Sequence, residues 1–338
     1  MARRSVAPDH DAAQFFGAHA RQAVDALLVV AHQVGAQRLV RTLGEPGLAV
    51  AARSVFGQTG VDCAELELVI IDNDQVPSAK PVADMLAKAA PFPVIYVHEK
   101  RPGVAFARNA GMARASGELI AFLDDDEEAP DGWLAALLAA QVRYDADVVF
   151  GPVRTRAPDH IVAHRDYLER FFSREGPAEA GVLDHYYGCG DSLIRRAALP
   201  DPVSPFAIER NHIGGEDDML FGHMRVAGAR FAWEPAAWVW EEPVPSRMNL
   251  RYTISRAFAY GQGPTSHCAA AIPRDNLGVA RWMVIGLGQA AVFGAVAGFK
   301  WLVRAKDRAE WLDRAARGLG KTFWWGPFKI QFYGRTAA

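Results

Sequence analysis

The chain has 338 residues, half of them hydrophobic, enough for one large α/β domain and an appendage to bury a core without disulfide or metal staples. Lys and Arg total 37 against 39 Asp and Glu, a formal charge of −2, so no global basic field argues for nucleic acid and an anionic ligand must be met by local groups. Three widely separated cysteines, Cys63, Cys189 and Cys268, show neither CxxC nor Cys/His zinc spacing, which suits a reducing cytoplasm and small buried side chains.

Residues 1–22 are polar and read as a mobile segment; Met-Ala-Arg-Arg is followed by no apolar core, so a secretory signal is not expected. Asp25 to Val34 is apolar enough for a strand or a helix. Apolar runs then alternate with helical periods: Glu67–Ile71, a helix near Pro81–Ala90, Pro93–Val97, a helix through Ala105–Ala115, Leu119–Leu123, a helix opening at Pro130–Trp133, and Asp147–Phe150. Short apolar runs separated by helices are the signature of parallel strands with crossover helices, so a mostly parallel Rossmann-like sheet is expected. Ligands of such sheets sit beyond the carboxyl ends of the strands. Those ends carry Asp72-Asn73-Asp74, His98 to Gly103, and Asp124-Asp125-Asp126-Glu127-Glu128.

Five consecutive acidic residues after an apolar strand repel one another unless a cation or solvent offsets them. Hard oxygen ligands favour Mg²⁺ or Mn²⁺, which take one or two carboxylates and leave other positions to water and substrate phosphates. A solvated acidic turn that also charges the N-terminus of the following helix explains the run equally well taken alone.

The run Arg101-Pro-Gly through Ala107-Arg108-Asn109 to Phe122-Leu-Asp-Asp-Asp126, followed later by Gly214-Gly-Glu216-Asp217-Asp218 and Arg225-Val-Ala-Gly228, resembles family 2 glycosyltransferases over about residues 60–262. The resemblance implies one nucleotide-binding α/β domain of the A-type glycosyltransferase fold, spanning 23–262. It places Asp72 and Asp74 at the base and ribose, and Arg108 on the helix facing the nucleotide; the alternative for Arg108 is a surface pair with Glu118. Asp124 then faces ribose and metal, Asp126 the metal, and Asp125 the other side of the extended segment. The catalytic base falls in Glu216-Asp217-Asp218, with Asp217 the better match; the alternative is an acidic cap on the helix near Met219. The loop with Gly190 and Asp191 resembles one lining the acceptor side. Arg247 and Arg256 lie in a segment that closes over the diphosphate in relatives, where a solvated helix face is the alternative. His185 reads as packing or solvent-facing.

Relatives open with a strand ending in Pro-Thr-Tyr; here the counterpart is Gln37 to Pro46, leading into a helix Leu48–Phe56, with Thr42 and Pro46 agreeing and Thr42 placed at the donor base. Residues 263–338 form a helical extension, in which 282–303 is an apolar stretch bracketed by Arg281 and by Lys300, Arg304, Lys306 and Arg308. Aromatic and basic ends suit a helix lying in or dipping into a membrane interface; a buried helix is the alternative.

The expected activity is inverting transfer of a hexose from a nucleotide-sugar donor of the UDP type to a glycan or lipid-linked acceptor in bacterial polysaccharide biosynthesis, at the cytoplasmic face of the inner membrane or in the cytoplasm. A metal-dependent nucleotidyltransferase and a degenerate, noncatalytic scaffold are the rivals.

Overall fold

The computed structural model describes residues 26–32, 47–62, 66–211 and 214–330. The segment 1–22, Cys63 and Thr42 lie outside them. The first described element is the strand β1 (Ala26–His32), so the ambiguous apolar run is a strand, and the opening strand stands ahead of Gln37 to Pro46. It is followed by α1 (Gly47–Phe56), β2 (Leu66–Asp72), α2 (Lys80–Ala89), β3 (Val94–His98), α3 (Val104–Arg114), β4 (Leu119–Asp124) and β5 (Glu127–Glu128). Then come α4 (Trp133–Tyr144), β6 (Val148–Phe150), β7 (Val153–Thr155), α5 (Arg165–Phe172), β8 (Gly181–Leu183), β9 (Ser192–Arg195), α6 (Glu216–Val226), β10 (Phe231–Trp233) and β11 (Val239–Glu241).

Eight strands form one sheet in the order β3-β2-β1-β4-β9-β6-β10-β8. Its first four are parallel, as the alternating runs predict. Beyond β4 the sheet is mixed, because β9 runs antiparallel to both β4 and β6, and β8 antiparallel to β10. Strands buried on both faces read as continuous apolar runs, and their side chains alternate between two cores. Leu68, Ile70, Ala121 and Leu123 face α1, α2 and α4 through Leu48, Leu86, Trp133 and Leu137. Val69, Ile71, Ile120 and Phe122 face α3 and α6 through Met112, Leu220, Phe221 and Met224.

The register aligns the strand ends: His32 lies opposite Asp72, and Ala31 opposite both Ile71 and Asp124. The carboxyl edge of the parallel half therefore presents the ends of β1, β2 and β4 side by side. A second, three-stranded sheet in the order β5-β11-β7 sets Glu241 in register with Glu127, adding a distant acidic residue to the cluster after β4.

Three helices complete the chain: α7 (Leu250–Ala270), α8 (Asn276–Leu302) and α9 (Arg308–Thr322). The expected boundary at 262/263 falls inside α7. Glycines set their spacing: a Cβ on Gly261 would stand 2.2 Å from the Arg317 carbonyl oxygen, one on Gly320 2.0 Å from that of Phe258, and one on Gly286 2.6 Å from that of Gly318. Close backbone approach of this kind needs glycine. Helix α9 is tied to α5 by the Tyr167 hydroxyl, which donates to Asp313 Oδ2 at 3.2 Å, and by the Arg170–Glu310 ion pair. Helix α8 is long and apolar enough to cross a membrane by length and composition, yet only 11% of its most apolar window is buried. The buried-helix alternative is thus not what the structure shows: Val284, Leu287, Val292 and Phe299 point to solvent.

Candidate active site

Asp72 is fully buried at the end of β2. Its Oδ2 accepts from Ala79 N at 2.7 Å, capping α2, and from the Tyr96 hydroxyl at 2.7 Å, while Oδ1 accepts from Asp74 N at 3.3 Å. An N-terminal N–H group of a helix left without a partner is thereby satisfied by a carboxylate from another element. Burial, then the Asp72 bond, pushes the Tyr96 hydroxyl well up, which keeps it a donor. Asp74 accepts from Gln75 N and the Ser78 hydroxyl, and its carbonyl meets His98 Nε2 at 2.9 Å. Asn73, between them, had no role in the sequence reading. Its amide donates to the Glu99 and Arg101 carbonyls and accepts from Gly103 N, lashing the end of β2 to the Pro-Gly loop that opens α3.

Arg108 pairs with Glu216 and not with Glu118: it is buried and its Nη1 donates to Glu216 Oε1 at 2.7 Å. Three neighbouring bonds work in the same direction. Asn109 and Phe206 exchange bonds at 2.8 and 2.9 Å, and Asn211 Oδ1 accepts from Ala105 N at 2.9 Å. Helix α3 thus clasps Phe206, Asn211 and Glu216, ahead of Asp217. The helix α6 begins at Glu216 behind Gly215, whose φ is 81°, and its first turn carries Glu216, Asp217 and Asp218. Asp217 serves both the helix start and the neighbouring turn: Oδ1 accepts from Asp218 N at 2.9 Å, and Oδ2 accepts from Cys189 N at 3.1 Å, from the turn before β9. Asp218 is exposed. A cavity of about 360 Å³ opens beside it, lined by Arg210, Gly215, Met219 and His223.

The turn Gly188-Cys189-Gly190 joins the two acidic clusters. A Cβ on Gly188 would lie 3.2 Å from Asp217 Oδ2, and one on Gly190 2.9 Å from Asp124 Oδ2. The Cα atoms of those glycines span at most about 7 Å, so Asp217 and Asp124 flank one short stretch of backbone. Burial raises the carboxyls of Asp124, Asp126 and Glu127. Arg108 opposes the rise at Asp124; Glu241 and Asp125 add to it at Asp126, and Asp124 and Asp191 at Glu127. Glu127 Oε2 accepts from Asp124 N at 2.8 Å, which fixes the turn between β4 and β5. Glu241, unforeseen in the sequence, is pushed up to about 7 by burial and then by Asp124, with Arg174 and Arg247 opposing. Carboxylates whose charge is disfavoured by burial and by one another are relieved by a divalent cation, and their oxygens are hard ligands. Asp124 and Asp126 fit such an ion, and the room that Gly190 leaves before Asp124 is space a side chain would fill.

Asp191 is buried with φ 48°. Its Oδ1 accepts from Trp133 Nε1 at 2.7 Å, and Oδ2 accepts no hydrogen bond among the described residues, with Arg174 at 3.6 Å. Burial pushes its carboxyl up to about 7 against Arg174 and the Trp133 bond. It supports the turn from behind. His185 is exposed against Asp184, in line with its solvent-facing reading. Arg247 and Arg256 share a cleft of about 200 Å³ with Glu241, Phe171, Phe172, Tyr252 and Tyr260. The Arg256 guanidinium stacks on Tyr260 at 4.9 Å and bonds its hydroxyl. Main-chain pairing of Glu242 N with the Asp126 carbonyl at 3.0 Å sets this cleft beside the acidic cluster.

The sequence description "Glycosyl transferase family 2" matches residues 41–201. The succinoglycan biosynthesis protein ExoM of Rhizobium meliloti is 35% identical over 225 residues, covering 66% of this chain and 72% of ExoM. The pre-mycofactocin glycosyltransferase of Mycobacterium tuberculosis is 32% identical over 206 residues, covering 58% of this chain and 41% of its own length. Among solved structures, the mannosyltransferase PcManGT from Pyrobaculum calidifontis, in complex with GDP-Man and Mn²⁺, superposes with a TM-score of 0.52 at 16% identity, over 88% of this chain and 87% of that one, a likeness of fold. With the likeness to ExoM running through most of both chains, and a strand-end site of two linked acidic clusters on this sheet, the chain belongs to glycosyl transferase family 2 and is a glycosyltransferase of the A-type fold.

Proposed function

We propose that the chain transfers a hexose from a UDP-type donor, with inversion, to a lipid-linked glycan in bacterial polysaccharide biosynthesis, and that Asp217 is the base. The placing of Asp217 and Asp124 on either side of Gly188–Gly190 carries this reading. The acceptor hydroxyl gives its proton to Asp217 Oδ2 as its oxygen bonds the anomeric carbon, and the bond to the diphosphate breaks on the opposite face. Cys189 N orients that carboxylate. Glu216 is excluded from the same duty by its ion pair with Arg108. The likeness to ExoM supports a polysaccharide product.

Bound Mg²⁺ or Mn²⁺ supplies charge neutralisation for the leaving diphosphate. Asp124 and Asp126 would hold it; among the described residues no group of three His, Cys, Asp or Glu side chains gathers for a metal, and two carboxylates would leave other positions to water and substrate phosphates. Asp126→Ala is expected to weaken nucleoside diphosphate binding about tenfold or more with Mn²⁺ present, as loss of one ligand or its support does, and to leave binding in chelator unchanged. Calorimetric titration measures both; equal weakening in the two conditions removes the metal role. Arg247 and Arg256 then face the diphosphate from the neighbouring cleft.

The proposed site of action is the cytoplasmic face of the inner membrane. Between Arg281 and Lys300, α8 carries no charge, and its outer face repeats Val284, Leu287, Ala291, Val292 and Phe299 at helical spacing. Its inner face is packed along its length by α9, which bears Arg308, Glu310, Asp313, Arg314, Arg317 and Lys321. Hydrocarbon around α8 would have to enclose those charges, a cost of several kcal/mol. A helix lying in the interface avoids it, with Arg281, Arg304 and Lys306 at anionic headgroups. Leu287→Asp with Val292→Asp, both at exposed positions, is expected to release the protein from phosphatidylglycerol vesicles in a flotation assay while its melting temperature holds. Unchanged flotation would refute a role for this face.

A further inference from the structure

Arg174 lies just past α5, in none of the motifs above, and its guanidinium is almost fully used. Nε and Nη2 donate to the Gly151 carbonyl at 3.1 and 2.8 Å, Nη1 to the Gly188 carbonyl at 2.9 Å, and Nη2 to the Asp191 carbonyl at 2.9 Å. The residue is anchored at its root too: Arg174 N donates to the Val153 carbonyl at 2.7 Å and its own carbonyl accepts from Val153 N at 3.0 Å. The side chain therefore holds a fixed geometry between the end of β6 and the turn before β9. It grips that turn at both ends, at Gly188 and Asp191. Between the grips sit Cys189 N, which bonds Asp217, and Gly190, which faces Asp124.

We propose that Arg174 is a positioning residue for glycosyl transfer, acting through Cys189 to aim Asp217 at the acceptor hydroxyl. It rests on the reading of Asp217 as the base. A planar fork of five donors is what lets one side chain bind carbonyls on two separate segments. Lysine keeps the charge beside Asp191 but has one compact ammonium, so it preserves the electrostatics and loses the geometry. If Arg174 merely balanced the charge of Asp191, lysine would suffice. If it served only the fold, its loss would add to that of any catalytic group rather than vanish behind one.

The test is a cycle of Arg174→Lys, Asp217→Asn and the double variant, read as kcat and donor KM together with thermal melting. Arg174→Lys is expected to lower kcat about 100-fold, the loss that small misplacement of a reacting group causes, with donor KM within about threefold of wild type. In the Asp217→Asn background the same change is expected to have little further effect, because residues acting as one unit are not additive. Wild-type kcat in Arg174→Lys, or an undiminished effect on top of Asp217→Asn, overturns the proposal. So does loss of the melting transition in both Arg174→Lys and Arg174→Gln, which assigns the residue to folding. Full activity in Asp217→Asn alone would instead sink the reading of the base, so the two failures are told apart.

Discussion

Replacing Asp217 by asparagine is expected to lower kcat by about 10²- to 10⁴-fold, the range lost with a positioned general base, while donor affinity stays near wild type. The side chains have the same shape, and the asparagine oxygen can still accept from Cys189 N, so the turn keeps its place. What disappears is the ability to take a proton, together with the bond accepted from Asp218 N, since an amide has one acceptor oxygen where the carboxylate has two. Neither neighbour replaces it. Glu216 is 5% exposed and its Oε1 is held by Arg108, and Asp218 lies one position round the helix, exposed, with its N–H bonded to Asp217. The check pairs turnover, read as released nucleoside diphosphate, with calorimetric donor binding on the same preparation. A fall in donor affinity matching the fall in rate would show that Asp217 binds substrate rather than accepting a proton.

The parts of this arrangement visible in the sequence are those that depend on near neighbours. Glu67–Ile71 and Leu119–Leu123 read as strands because strands covered on both faces need unbroken apolar runs, Pro93–Val97 is a shorter apolar run at the half-buried edge, and each is a strand to within a residue at either end. The acidic groups at their ends stand at the carboxyl edge for the same reason. The direction of β9 is not legible, since a strand looks alike whichever way its neighbours run; the antiparallel half of the sheet follows from it. Strand β1 was ambiguous because its short run of Ala, Leu and Val suits either element, and only pairing with β2 and β4 decides. Arg174 gave no signal because its partners are four backbone contacts from 14 to 23 residues away, and a carbonyl has no sequence letter. Glu241 reaches the acidic cluster only through register with Glu127, more than a hundred residues earlier. Apolar composition marked α8, whereas its exposure depends on which face α9 covers.

Arg108→Met is expected to be the most destabilising single change near the site, by about 3–5 kcal/mol, because it removes one partner of a buried ion pair and leaves the other charge uncompensated. Arg108 and Glu216 side chains are 7% and 6% exposed, so water does little to replace the lost partner. Glu216 already has its carboxyl raised by burial, against the pull of Arg108. Without that pull the folded-state value rises further above the unfolded one, and the folded protein favours the protonated form. The cost is therefore small below the ordinary glutamate range, where both states hold the proton. It grows as pH climbs toward the raised value, so the gap in melting temperature between variant and wild type should widen from pH 5 to pH 8. Adding Glu216→Gln removes the stranded charge and is expected to recover part of the loss and flatten the pH dependence. Denaturant unfolding of the three variants across that range decides it. A pH-independent loss that Glu216→Gln does not relieve would mean that Arg108 stabilises α3 by packing on Phe206, which its guanidinium faces at 5.5 Å, and that the clasp between α3 and the segment carrying Asp217 rests on Asn109 and Asn211.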